Sequence, residues 1–179
     1  MTDREILKLY LTDQEKAFNE LVEAYSQRLY WHIRSIVLSH EDANDVLQNV
    51  LIKIWQGLST FRGDSQLYTW LYRIATNEVL TFIKRENTQT LETIPEKESQ
   101  KVTATLIADE YFEGDKLQAL LQEAIAQLPP KQRLVFNMRY FEDMKYEDMS
   151  KILDTSTGAL KASYHHAAEK VEQYIKDRM

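Results

Sequence analysis

The chain is 179 residues long, with 44% hydrophobic and 28% charged residues, four glycines, three prolines and no cysteine. That length allows one or two modest domains, the scarcity of turn residues favours long helices over a β architecture, and the missing cysteine excludes disulfides and thiolate metal sites. A formal charge of −6 would argue against a nucleic-acid partner if it were spread evenly. It is not: residues 1–85 hold ten Lys/Arg against eleven Asp/Glu, residues 86–115 two against eight, and residues 116–179 ten against nine. The acidity belongs to one central stretch, and the flanks are near neutral. The first five residues already carry charges and no apolar run approaches membrane-spanning length, so a cytoplasmic protein with no membrane insertion is expected.

In chain order, Thr12-Asp13-Gln14-Glu15 has the form of a capping box, followed at helical spacing by Phe18, Leu21, Val22, Tyr25, Leu29, Ile33, Ile36 and Val37. This predicts a long helix ending near Ser39. Ser39 then offers a second cap, ahead of Ala43, Val46, Leu47, Val50, Ile54 and Trp55 on one face, with Gly57 closing that helix. The segment "STFRGDS" reads as a loop, and Asp64 or Ser65 can cap a third helix whose buried stripe is Leu67, Trp70, Leu71, Ile74, Ala75 and Phe82. At about 100° per residue, Thr69, Arg73, Thr76 and Leu80 fall on the opposite side, flanked by Tyr72 and Asn77, and are expected to face solvent. An exposed surface of aromatics, threonines, an asparagine and an arginine is unusual for a soluble helix.

Residues 87–115 lose this periodicity and gain Thr, Glu and a proline, the profile of a flexible acidic linker. Within it, Leu106, Ile107, Tyr111 and Phe112 form a short apolar island able to dock as a stub of helix. From Lys116 a helix must stop before "LPP"; Pro130 can start the next, to about Tyr140. Tyr146 to Leu153 is a short helix, "DTSTG" a turn, and Leu160, Tyr164, Ala167, Ala168, Val171 and Ile175 mark a long final helix. The fold class is therefore all-α, with helical domains over 1–86 and 116–179 joined by the linker.

Few residues here suit catalysis. Glu41 and Asp45 lie at i,i+4 beside His40, but acids at a helix start are explained more simply by the helix dipole. His165 and His166 are sequence neighbours and diverge around a helix, and there is neither a Gly-rich phosphate loop nor a G-x-S-x-G elbow. No metal, cofactor or enzymatic activity is expected. The short helix, polar turn and long helix of residues 146–170 have the layout of a helix-turn-helix, in which small residues let a helix N-terminus enter a major groove. The same layout serves equally well as two amphipathic helices of an ordinary bundle.

Both halves together resemble a bacterial RNA polymerase sigma factor of the extracytoplasmic-function (ECF) group in the sigma-70 family, which keeps only regions 2 and 4. The residues carrying the resemblance are "DANDVLQNVLIKIWQGLSTFRGDSQLYTWLYRIATNEVLTFIKR" and "LPPKQRLVFNMRYFEDMKYEDMSKILDTSTGALKASYHHAAEKV". It implies a promoter-specificity subunit, with region 2 over 1–86 and region 4 over 116–179. Asp42, Asp45, Gln48 and Asn49 would meet the coiled coil of the largest catalytic polymerase subunit, though the family usually has an acid where Asn49 stands. Phe61, Asp64, Ser65, Gln66, Tyr68, Thr69, Tyr72, Arg73, Thr76 and Asn77 would read and open the minus-ten element, where aromatics stack unpaired bases, Thr and Asn bond base edges and Arg meets phosphate. Trp70 is ambiguous between this surface and the core. Thr157, Gly158, Lys161, Ala162, His165 and His166 would read the minus-thirty-five element as duplex; the family often carries several arginines after the position of Lys161, and this chain has Ser163, Tyr164, His165 and His166 instead. Opening would proceed without ATP hydrolysis. The polymerase flap and an anti-sigma factor are further partners of the family, and the linker would thread toward the active-site and RNA-exit channels. A helix-turn-helix regulator working without polymerase, and a helical adaptor, are the rival readings.

Overall fold

The structure, a computed structural model, describes residues 1–86 and 115–179. Among them are eight α-helices and one 3₁₀ turn, with no strand: α1 (Asp3–Tyr10), α2 (Gln14–Val37), α3 (His40–Gly57), the turn Leu58–Thr60, α4 (Leu67–Glu86), α5 (Lys116–Ala126), α6 (Pro130–Tyr140), α7 (Tyr146–Leu153) and α8 (Thr157–Lys176). The expected linker over 87–115, including the island at Leu106, Ile107, Tyr111 and Phe112, lies outside the described residues apart from Asp115.

Local signals place most boundaries. Asp13, not Thr12, caps α2: its carboxylate accepts the Lys16 N–H at 3.0 Å, whereas the Thr12 hydroxyl donates back to Leu9 O at the end of α1. The capping box sits instead at Thr2 and Glu5, opening a helix too short for its periodicity to register. Helix α2 stops at Val37 because Leu38 turns left-handed (φ 67°), and Ser39 caps α3 by accepting from Asp42 N–H. Helix α4 opens at Leu67, with the Gln66 carbonyl accepting from Trp70 N–H, so it begins later than a cap at Asp64 or Ser65 requires. In the second half Asp115 caps α5, Pro130 occupies the first position of α6, and Ser156 caps α8.

In the first module α2 packs against α1, α3 and α4. Leu21, Leu29 and Ile33 of α2, Val46, Val50 and Ile54 of α3, and Leu67, Leu71, Ala75 and Val79 of α4 are all buried; each large aliphatic contributes on the order of 2 kcal/mol. Gly57 allows a close approach, because a Cβ there would stand 3.1 Å from Trp70 Cζ2 and the indole would have to shift. Trp70 is thereby half core: partly buried, it packs on the core and stands 5.1 Å from the Phe61 ring. Trp55 departs from the predicted stripe; it is 45% exposed and meets the edge of Phe18.

The second module has its own core of Ala124, Ile125, Leu128, Phe136, Ala167, Val171 and Tyr174, with Phe136 stacked against Tyr140 and Tyr164 at 5.2 and 5.7 Å. The two modules also share apolar surface. Leu134, Val135, Met138, Met144, Met149 and Ile152 join the first module's core, α2 packing against α6 and α4 against α7. Arg133 bridges the seam: fully enclosed, it donates to Ile36 O of α2 (2.7 Å) and to Ala126 O and Leu128 O of its own module (3.1 and 3.0 Å). With carbonyls but no carboxylate beside it, burial pushes its pKa down to about 10.

Candidate nucleic-acid interface

Three surfaces were expected to carry function, and the structure treats them differently. On α3, Asp45, Gln48 and Asn49 are exposed on one side and Asp42 is partly exposed. Ile52, seven residues past Asp45 and hence almost eclipsed with it, is 53% exposed and prolongs that strip, with the exposed Trp55 beside it. These two apolar side chains were missed as surface residues; the available signal was that Ile52 falls out of phase with the Val46/Val50/Ile54 stripe. His40, weighed as a ligand, is held by Tyr30 OH at Nδ1 (2.6 Å) and by Asn44 at Nε2 (3.0 Å). Among the described residues no group of three or more His, Asp or Glu is placed to hold a metal ion.

On α8 the expected residues share one open face. Gly158, Lys161, Ala162, His165 and His166 are exposed and Thr157 partly so, opposite the buried Leu160 and Ala167. The turn before it is shaped by Asp154 in the left-handed conformation (φ 50°), by Thr155 Oγ1 donating to Leu153 O, and by Ser156 accepting from Ala159 N–H. Lys161 and Arg139 lie over the Tyr146 ring, 5.7 and 5.0 Å from its centre, which fixes α7 under the start of α8. His165 meets Glu169 at 3.3 Å. This is a helix-turn-helix whose second helix starts at the surface, capped by Ser156.

On α4 the expected exposure is overturned. Thr69, Tyr72 and Thr76 are buried, Tyr68 and Arg73 are partly covered, and among these six expected residues of the helix Asn77 alone is open. In the preceding loop Asp64 and Gln66 are exposed, Phe61 and Ser65 partly so. Two neighbours account for the burial. From within the module, His32 of α2 reaches Thr76 Oγ1 through Nε2 (3.0 Å) and meets the Tyr72 ring edge-on at 5.0 Å; its Nδ1 has no partner, and burial pushes its pKa down to about 4.

From the second module, the α6–α7 turn and α7 cover the rest. Tyr72 OH donates to Glu142 Oε2 (2.8 Å), Tyr68 OH donates to Asp148, and Arg73 Nη2 donates to Lys151 O (2.8 Å). Arg28 stands 3.7 Å from the same Glu142 oxygen, over the rings of Tyr25 and Tyr72. Desolvation, then the neighbouring carboxylates, raise the pKa of both tyrosines, that of Tyr68 to about 12, so both hydroxyls stay donors at any ordinary pH. Arg28, Glu142 and Asp148 were not anticipated, because their partners lie far away in sequence.

Among the described residues no helix is long and apolar enough to cross a membrane. The family descriptions "Sigma-70 region 2" and "Sigma-70, region 4" match residues 21–89 and 118–171. The chain is 27% identical over 190 residues to the RNA polymerase sigma-H factor of Pseudomonas aeruginosa, covering 97% of this chain and 94% of that one. It is 27% identical over 186 residues to the ECF RNA polymerase sigma-E factor of Haemophilus influenzae, covering 100% and 98%. The fold matches CnrH in complex with the cytosolic domain of CnrY (TM-score 0.71, 18% identity, 99% of both chains) and the sigma factor RpoE in complex with the anti-sigma factor NepR from Bartonella quintana (TM-score 0.69, 22% identity, 90% of this chain and 98% of that one). Two family descriptions in the same order as the two helical modules, and relatives spanning nearly the whole length, make this chain a member of the sigma-70 family, an ECF-type RNA polymerase sigma factor that is a non-catalytic transcription initiation factor.

Proposed function

We propose that the chain binds core RNA polymerase through the exposed side of α3 and directs it to a regulated set of promoters in the cytoplasm. Asp42, Asp45, Gln48 and Asn49 supply the polar contacts to the coiled coil of the largest subunit, and Ile52 adds an apolar centre of the kind that carries binding energy. Helix α8 enters the major groove of the minus-thirty-five element with Thr157, Gly158, Lys161, Ala162, His165 and His166. With one lysine and two histidines in place of an arginine cluster, its phosphate attraction is weak, and affinity comes from the assembled holoenzyme.

The loop from Phe61 to Gln66, with Tyr68, Thr69, Tyr72, Arg73, Thr76 and Asn77, captures unstacked minus-ten bases, and binding energy alone offsets strand opening. Tyr72 is reached only after the α6–α7 turn has moved away from α4, and Thr76 lies against His32 of its own module. Region 4 additionally meets the polymerase flap, and the likeness to two anti-sigma complexes favours an anti-sigma partner. The observation that carries this function is the open face of α8 behind a helix-turn-helix, in a chain whose first module matches region 2. Purified chain added to core polymerase is expected to yield specific transcripts, with Arg73→Ala reducing permanganate reactivity of promoter thymines more than initial duplex binding. Failure to form a stable complex with core, or unchanged reactivity in Arg73→Ala, would reject the respective assignment.

A further inference from the structure

The contacts that close the seam between α4 and the second module are chemically one-sided. Along this stretch the first module brings donors and cations, the hydroxyls of Tyr68 and Tyr72 and the guanidinium groups of Arg28 and Arg73, whereas elsewhere in the seam the direction reverses and Arg133 donates to Ile36 O. Opposite them the second module brings acceptors, the carboxylates of Asp148 and Glu142 and the carbonyl of Lys151. The turn and helix start that supply the two carboxylates, residues 142–148, hold four acids against one lysine. A nucleic-acid strand would present the same features to the same donors, namely anionic oxygens and base-edge acceptors.

Closure also hides what a base would stack on, since Tyr72 is 0% exposed and the Tyr68 and Tyr72 rings lie 6.5 Å apart, edge to face, beneath α7. The seam is not sealed, however. An open cleft of about 240 Å³ lined by Tyr25, Arg28, Tyr68, Glu142, Lys145 and Asp148 lets water and salt reach both carboxylates. Such contacts are individually weak and screened by ions, as a releasable closure requires.

We propose that region 4 of this chain is a built-in competitor for the promoter strand, in which Glu142 and Asp148 latch the protein shut by occupying Tyr72, Arg28 and Tyr68 of the strand-reading face. This rests on assigning that face to the minus-ten strand. The latch lowers the open fraction of the free chain and thereby its apparent affinity for single-stranded DNA. Polymerase, by holding the two modules apart, removes the competitor.

The test uses the full-length chain. It has no native cysteine, so Asn19→Cys and Gln173→Cys, both at exposed helical positions, carry spin labels for distance measurement between the modules. Glu142→Lys with Asp148→Lys is expected to lengthen the distance distribution and to tighten binding of a fluorescein-labelled single-stranded oligonucleotide about tenfold or more. The oligonucleotide is taken from the non-template strand of a promoter that the holoenzyme transcribes. Glu147→Lys with Glu172→Lys makes the same charge change at exposed positions and should do neither.

If the reversed pair lowers the helical content, Glu142→Gln with Asp148→Asn is judged by the same two measurements. An unchanged distribution overturns the latch alone and leaves the assignment of α4 to the permanganate assay. A longer distribution without a gain in oligonucleotide binding overturns the competitor role and takes the DNA assignment of α4 with it. An equal gain in the control pair also overturns the proposal.

Discussion

Helices α4 and α8 are both twenty residues long and both were assigned to DNA from sequence, yet the fold handles them in opposite ways. Helix α8 is buried along one stripe, Leu160, Ala167, Val171 and Tyr174, and leaves the residues expected to read the promoter in solvent. Helix α4 is buried around most of its circumference, with Leu67, Leu71, Ala75 and Val79 turned to its own module and Thr69, Tyr72 and Thr76 covered as well. Helical periodicity identifies the face that a helix needs its own module to cover. It says nothing of a second face covered by polar partners from elsewhere, and that is the situation of α4.

The contrast can be broken most forcefully at Arg133. Arg133→Met strips the donors from Ile36 O, Ala126 O and Leu128 O inside the seam, and we expect a loss of about 4 kcal/mol in urea unfolding. A loss below about 1 kcal/mol would show that those carbonyls find other partners.

Acid should act next, through the floor of α4. His32 is held neutral, its folded pKa near 4 lying below the ordinary 6.5, so the unfolded chain binds the extra proton as pH falls between those values. Stability contributed by neutral His32 is thus present above about 6.5 and lost progressively toward 4, by roughly 3 kcal/mol at most. Unfolding at pH 7 and 4.5 should show this slope in the wild type and a flatter one in His32→Leu.

Thr76→Val keeps the shape against α2 but removes the hydroxyl that meets His32, and should cost about 1 kcal/mol. No change would mean that the hydroxyl adds nothing to the packing there. On α8, Lys161→Ala should alter stability by less than about 0.5 kcal/mol while reducing the salt slope of promoter binding by about one. A large stability loss would show that Lys161 serves Tyr146, over whose ring it lies, more than DNA.

Much of this was legible beforehand because it is local. Ser39 and Pro130 each mark a boundary by satisfying or forgoing backbone donors within one turn, whereas the Asp115 cap was not read, and the spacing and polar turn after Tyr146 gave the layout of a helix-turn-helix. The α3 strip was half legible: Asp45, Gln48 and Asn49 were placed on the surface, but Ile52 and Trp55 were not, since an apolar side chain out of phase is easily attributed to the core. Helix α1 was missed because eight residues give barely two turns of pattern.

The family motifs and most helix boundaries are properties of short windows, where capping, proline geometry and a 3.6-residue period act within a few positions, so the order of residues settled most of them. Which face of each helix meets water was settled by the assembled chain. The deciding partners of α4 stand 44 residues away at His32 and 70 away at Glu142, and Arg133 finds Ile36 across 97. Polar side chains such as Thr76 and Tyr72 tolerate either environment, provided a bonding partner is present once water leaves, and only the packed tertiary structure supplies that partner.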